Sequence, residues 1–268
     1  MRASRIIARS LLCLPLALSV TACVSASTGT AHPASSPLAP SAGAASSAAP
    51  SPTAPVSVDP ALAALSADDL LKQSTQALLA ADTLTMDVQG VTQSGQTTAH
   101  LQIARQAGSC AGATTLAGAP MMTFVSTAQQ FWLRPEPAYW SVHPGGAAAK
   151  PVKGHYAAGP AGDAKVQGLA SLCHVDQALA SVLDPAGKAT KGDPTTVDGQ
   201  GAITLNVVGS DGKSSTTVLV AAAGKPYPLQ LTQGAERLTF AGFGQPVTIQ
   251  PPAEGDVVAL HDFGQLLG

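Results

Sequence analysis

The sequence predicts an α+β domain, a large antiparallel sheet with helices on one face. Three observations carry this. Short segments in which apolar and polar residues alternate recur through residues 84–133 and again through 202–250. Turns rich in Gly, Pro and Asp separate them. Two stretches of helical periodicity interrupt the series, so the order is helix, strands, helix, strands.

The chain opens MRASRIIARS, with Arg2, Arg5 and Arg9 and no acid, followed by an apolar run from Leu11 to Val20. That run is too short to span a bilayer, which takes about 20 residues. Residues 1–22 therefore read as a secretory signal peptide of the general route, without a twin-arginine pair. Val20-Thr21-Ala22-Cys23 resembles the bacterial lipobox. That resemblance implies that Cys23 takes a diacylglycerol thioether and, after cleavage, acyl chains of the palmitate class, enough for stable anchoring at the extracytoplasmic face of the cell membrane. The alternative is an ordinary signal peptide with an incidental cysteine.

Residues 23–60 are Ala, Ser, Pro, Thr and Gly almost throughout, and their first charge is Asp59. Such a segment cannot bury enough apolar surface to offset its chain entropy. It reads as a disordered tether, roughly 35 Å long as a coil and roughly 110 Å as polyproline II. Residues 61–268 then form one domain. Charged residues are 11% of the chain, aromatic residues 4%, and the net charge is −2. No basic patch suits nucleic acid, and no general attraction to anionic lipid surfaces is indicated. Abundant Ala and Gly, with this tether, fit an actinobacterial source.

Of the four cysteines, Cys13 leaves with the signal peptide and Cys23 is the anchor. Cys110 and Cys173 remain, a pair in an oxidising compartment, and a disulfide between them is expected. Two free buried thiols are the alternative.

Element by element, Ser66 and Asp69 have the spacing of a capping box, and Leu70, Leu71, Leu78 and Leu79 form an apolar stripe ending near Ala81. "LTMDVQGV" turns Leu84, Met86 and Val88 to one side; "AHLQIAR" does the same with Leu101 and Ile103. "AGSCAG" reads as a turn, "MMTFVST" and "QFWL" as strands, "RPEPAYW" and "HPGGAAAKP" as loops. Leu169, Leu172, Val175, Leu179 and Val182 predict a second helix carrying Cys173 and stopped by Asp184-Pro185. The strands "AITLNVV", "STTVLVA", "YPLQLTQ", "RLTFAGF" and "PVTIQPP" close the chain, with Pro226 and Pro228 confining theirs to its first residues or an edge.

"GKPYPLQLTQGAERLTFAGFGQPVTIQPP", "FWLRPEPAYW" and the opening helix leading into "LTMDVQGV" resemble actinobacterial lipoproteins of the LprG/LppX type, over roughly Ala61 to Leu260. The resemblance implies a LolA/LolB-like half-barrel, a curved sheet wrapping helices on its concave face around an apolar cavity. It further implies that lipid or lipoglycan acyl chains bind there and are carried across the envelope. The inward positions are the candidates for the lining: Met86, Val88, Leu101 and Ile103 in the first strands, and Phe124 in the middle. Leu205, Val207, Leu229, Leu231, Leu238 and Phe240 complete the set from the C-terminal strands. Alternation alone fits a filled interior equally well.

Catalytic signals are weak. No G-x-S-x-G, H-E-x-x-H or Walker sequence occurs. His100, His143, His155, His174 and His261 lack metal-ligand spacing, and "DGQG" and "DGKS", at Asp198 and Asp211, read as turns. The sequence therefore favours a non-enzymatic lipid-binding protein without cofactor or metal. An envelope interaction or sensing module is the alternative, and a hydrolase is third.

Overall fold

Ser66 caps the first long helix: its hydroxyl accepts the Asp69 amide (3.1 Å) and donates to Asp69 Oδ2 (2.6 Å). Asp68 and Asp69 add two carboxylates to that first turn, where the helix dipole favours them. The computed structural model describes residues 56–93, 95–143, 149–184, 186–261 and 263–267. The expected signal peptide, Cys23 and the tether through residue 55 lie outside the described residues, as do Pro185 and residues 144–148.

Helices α1 (Pro60–Ala64) and α2 (Ala67–Leu79) come first. Successive hairpins then build β1 (Thr83–Thr92), β2 (Gly95–Ala104), β3 (Ser109–Leu116), β4 (Ala119–Ser126) and β5 (Gln130–Pro135). After α3 (Pro137–Val142) and α4 (Ala149–Val152) comes β6 (Tyr156–Pro160), then α5 (Gln167–Ser171) and α6 (Val175–Val182). The second half comprises β7 (Lys188–Lys191), β8 (Thr195–Val197), β9 (Gln200–Val208), β10 (Ser215–Ala221), β11 (Pro228–Gln233), β12 (Glu236–Ala241), β13 (Val257–Ala259) and α7 (Gly264–Leu267).

Among the described residues these strands form one open, curled, 13-stranded sheet in the order β13-β6-β5-β4-β3-β2-β1-β12-β11-β10-β9-β7, with β8 also on β9. Only the β13–β6 pair is parallel. The fold is α+β, as expected. The halves join where β1 pairs with β12, setting Met86 opposite Phe240 and Val88 opposite Leu238.

The main core lies between the sheet and α2, α5 and α6, with Leu70, Leu78, Leu84, Leu101, Phe124 and Leu133 at zero exposure. The opposite face carries two small clusters: Val125, Trp132 and Ala158, and Ala202, Ala221 and Leu229. Gly112 allows close approach at the centre. A Cβ there would lie 2.8 Å from Phe124 Cζ and 2.9 Å from the His100 carbonyl, so the Phe124 ring rests on bare backbone. Phe124 stacks on Phe131 (centroids 5.6 Å), which meets the edge of Phe263 (6.0 Å).

Several expectations change. The expected tether end is packed: Val56 and Val58 lie against the core, and the Asp59 amide donates to Ala222 O (2.8 Å). The single second helix is two, broken at Leu172–His174, where the extended backbone of His174 starts α6. Cys173 sits in that break, its Cα 5.6 Å from that of Cys110 on β3, and a disulfide joins them. "PAYWSV" is helical, because Pro137 enters at the first turn, where its missing N–H leaves no bond unmade. "PVTIQPP" is not a strand, since Pro246, Pro251 and Pro252 cannot donate to a ladder. The segment instead crosses the outer face, with Ile249 against the Trp132 cluster.

Candidate apolar binding cleft

The inward residues of the strands meet, and they meet closely. Met86, Leu101, Ile103, Phe124, Leu205, Val207, Leu231 and Phe240 are each at most 2% exposed within the main core. A hollow wide enough for water would leave accessible surface on its walls, so this part of the concave face is filled by side chains. Leu229 is not with them. The β10–β11 register slips between Leu219 and Val220, which pair with Gln230 and Pro228. Leu229 is thus the extra residue of a bulge and turns to the outer cluster with Ala202 and Ala221.

Open space begins at the rim, where β1 and β2 run past the covering helices. Val88, half-buried, and Leu238, 5% exposed, are the two sequence candidates that reach it. Two adjoining clefts share Val88, Thr92, Thr97 and Leu172. One, of about 500 Å³, lies between β1, β12 and α6, and adds Leu238, Ala178 and Glu236. The other, of about 540 Å³, continues across β2–β4 to α3 and adds Ala99, Leu116, Met121, Met122 and Tyr139. Both fall in the roughly 300–1,000 Å³ range of small-molecule sites.

The walls are mostly apolar, and several of their hydroxyls are engaged. Thr92 and Thr97 donate to the carbonyls of Gly95 (3.1 Å) and Gly90 (3.3 Å), and Thr98 and Thr115 share a hydrogen bond (2.6 Å). Burial pushes the Tyr139 phenol above its ordinary pKa, so the ring stays neutral. Leu172 precedes Cys173, so the disulfide fixes the residue that stands between the two clefts. Leu172, Met121, Met122 and Tyr139 were not among the sequence candidates. Leu172 is one member of a helical stripe, "MM" carries no sidedness, and Tyr139 falls in the proline-rich stretch that reads as a loop.

Two other depressions lie away from the rim. One of about 410 Å³ runs between α2 and α6, over Leu71, Leu79, Leu179 and Leu183. One of about 450 Å³ beside the disulfide is more polar, with Arg105, Ser126, Thr127 and Asp176.

Reactive constellations are sparse. Among the described residues no cluster of His, Cys, Asp and Glu could hold a metal ion. His100 Nδ1 lies 2.6 Å from Asp87 Oδ1 as an exposed cross-strand pair. Ser210-Asp211-Gly212-Lys213 has the S-x-x-K spacing of some acyl-transfer nucleophiles, but it is the β9–β10 turn. Its Ser210 hydroxyl donates to Asp184 Oδ2 (2.6 Å), which holds the Asp184 carboxyl below its ordinary pKa.

No protein-family model matches the chain, and no curated protein sequence matches it. Solved structures similar to it include lipoprotein LppX of Mycobacterium tuberculosis, 14% identical over 72% of this chain and 100% of that one, with a TM-score of 0.46. An uncharacterised conserved protein of Thermus thermophilus is 12% identical over 72% of this chain and 99% of that one, at 0.38. A LolA-superfamily protein of Nitrosomonas europaea is 8% identical over 66% and 91%, at 0.22. Likenesses at this level carry no ligand or partner across to this chain.

Proposed function

We propose that this chain is a non-enzymatic lipoprotein of the extracytoplasmic membrane face, anchored through Cys23, that binds and carries single acyl chains of lipids in its rim cleft. The observation that carries the reading is the cleft itself. Beyond its filled centre the core opens at the rim into adjoining apolar spaces walled by Val88, Leu238, Ala99, Met121, Met122 and Leu172. The N-terminal pattern and the Cys110–Cys173 disulfide support an oxidising, extracytoplasmic setting.

The mechanism needs no directed polar contact. Each methylene moved from water to the cleft contributes about 0.8 kcal/mol, so ten of them contribute roughly 8 kcal/mol before ordering costs. The two methionines suit this task, because an unbranched thioether adapts to chains of differing kink and length. The sealed centre means that the tail lies at the rim, with its polar end toward solvent.

Uptake of a fluorescent fatty acid by the delipidated protein tests the reading. Saturable binding at micromolar concentration or below is expected, weakened at least about tenfold by Val88→Glu, which puts a carboxylate in the apolar wall. Absence of uptake by the folded wild type would overturn acyl binding and leave the interaction-module reading standing.

A further inference from the structure

On the far side of α3 from the apolar cleft lies a pocket of about 510 Å³ with a different lining: Arg134, Glu136, Trp140 and Lys153 between Pro135 and Pro137. The two spaces are neighbours by construction of the sheet. Pro135 at the pocket pairs with Met122 in the cleft, and the Glu136 amide donates to the carbonyl of Met121 (2.8 Å). Within α3, Tyr139 faces the cleft and Trp140 the pocket, their ring centroids 5.3 Å apart. One short helix is the wall between an oily space and a cationic one.

The pocket's charges are arranged rather than scattered. Glu136 Oε1 accepts from Arg134 Nε (3.3 Å), from Arg134 Nη2 (3.2 Å) and from the Thr123 hydroxyl (2.9 Å). Its charge is therefore spent on a guanidinium that is also held over the Tyr156 ring at 4.9 Å. Lys153 has no carboxylate partner among the described residues; its Nζ stands over the Trp140 ring at 5.5 Å. The site thus keeps one uncompensated positive charge in a chain whose net charge is −2. Trp140 adds a second unmet need. Its indole Nε1 is shielded from solvent and has no hydrogen-bond partner. An ammonium standing over an aromatic face at an open space suits a compact anion bearing acceptor oxygens.

We propose that this pocket receives the anionic head, phosphate or carboxylate, of the amphiphile whose chain occupies the rim cleft, with Lys153 as its charge contact. The proposal rests on the acyl-binding reading and adds the class of the head group. It is tested on the full chain with three probes: a monoacylglycerol phosphate, the monoacylglycerol with the same chain, and glycerol phosphate alone. Trp140 fluorescence, read in a Trp132→Phe background, follows binding. The phosphate-bearing lipid is expected to bind about tenfold more tightly than its neutral counterpart, the size of one charge-assisted hydrogen bond. Lys153→Gln should bring the two within about twofold and leave neutral-lipid binding unchanged, whereas Lys153→Arg should retain the preference. Equal affinity for both lipids in the wild type overturns this inference alone, as does a preference that survives Lys153→Gln. Glycerol phosphate binding as tightly as the lipid assigns the pocket to a free anion and also overturns it. Failure of both lipids to bind overturns the acyl-chain reading on which it stands.

Discussion

The disulfide between Cys110 and Cys173 is the covalent tie between the sheet and the helices that cover it, and its removal has a calculable cost. It closes a loop with a sequence separation of 63. On the loop-entropy relation a loop of that length stabilises the folded state by about 4 kcal/mol. For a domain of this size that corresponds to a fall in Tm of roughly 8–16 °C. Urea denaturation of the wild type, oxidised and reduced, beside the Cys110→Ala/Cys173→Ala variant measures it. Reduced wild type and variant should lose similar amounts, with cooperative unfolding retained. Because Leu172 adjoins Cys173 between the two clefts, fatty-acid uptake should weaken in parallel. A loss below about 1 kcal/mol, or two free thiols in the protein as isolated, would refute the reasoning.

Other perturbations address separate features. Phe124→Ala removes the ring that rests on Gly112, and should cost about 3–5 kcal/mol in chemical denaturation, as for a filled core; a cost under about 1 kcal/mol would mean that the centre is hollow. Asp163 accepts the backbone amides of Phe263 (2.8 Å) and Lys165 (2.8 Å), which hold its carboxyl below the ordinary 3.8, the Phe263 bond chiefly. A carboxyl lowered in the folded state stabilises above its unfolded pKa and ceases to as the pH falls through its folded value. Asp163→Asn should therefore lower the urea midpoint at neutral pH and lose that difference in acid below 3.8; a gap independent of pH would refute the assignment.

Local rules read the sequence well where one residue type decides one bond. The Ser66–Asp69 cap and the inward set Met86, Leu101 and Ile103 were legible because each depends on spacing alone. Strand β3, "SCAGATTL", was not, since Gly, Ala and Thr give no apolar period and its pairing is set by β2 and β4. The break between α5 and α6 escaped because an apolar stripe fixes which face is buried and says nothing of a chain drawn aside at Cys173. Leu229 failed through a one-residue register slip, which reverses a side chain without changing the pattern. The cleft itself was the least legible feature. Alternation assigns side chains to a face, but whether that face closes depends on the facing volumes: Phe124 over Gly112 seals the middle, while Val88, Thr97 and Leu172 leave the rim open.

Native mass spectrometry of the protein purified from its own host, without detergent exchange, tests the acyl-chain reading most directly. The account predicts a folded chain carrying the added mass of a hydrocarbon-bearing molecule, and loss of that mass in Val88→Glu. A folded wild-type chain at the mass of its Cys23-acylated form alone, with no further chain-bearing molecule recovered on solvent extraction, would contradict it.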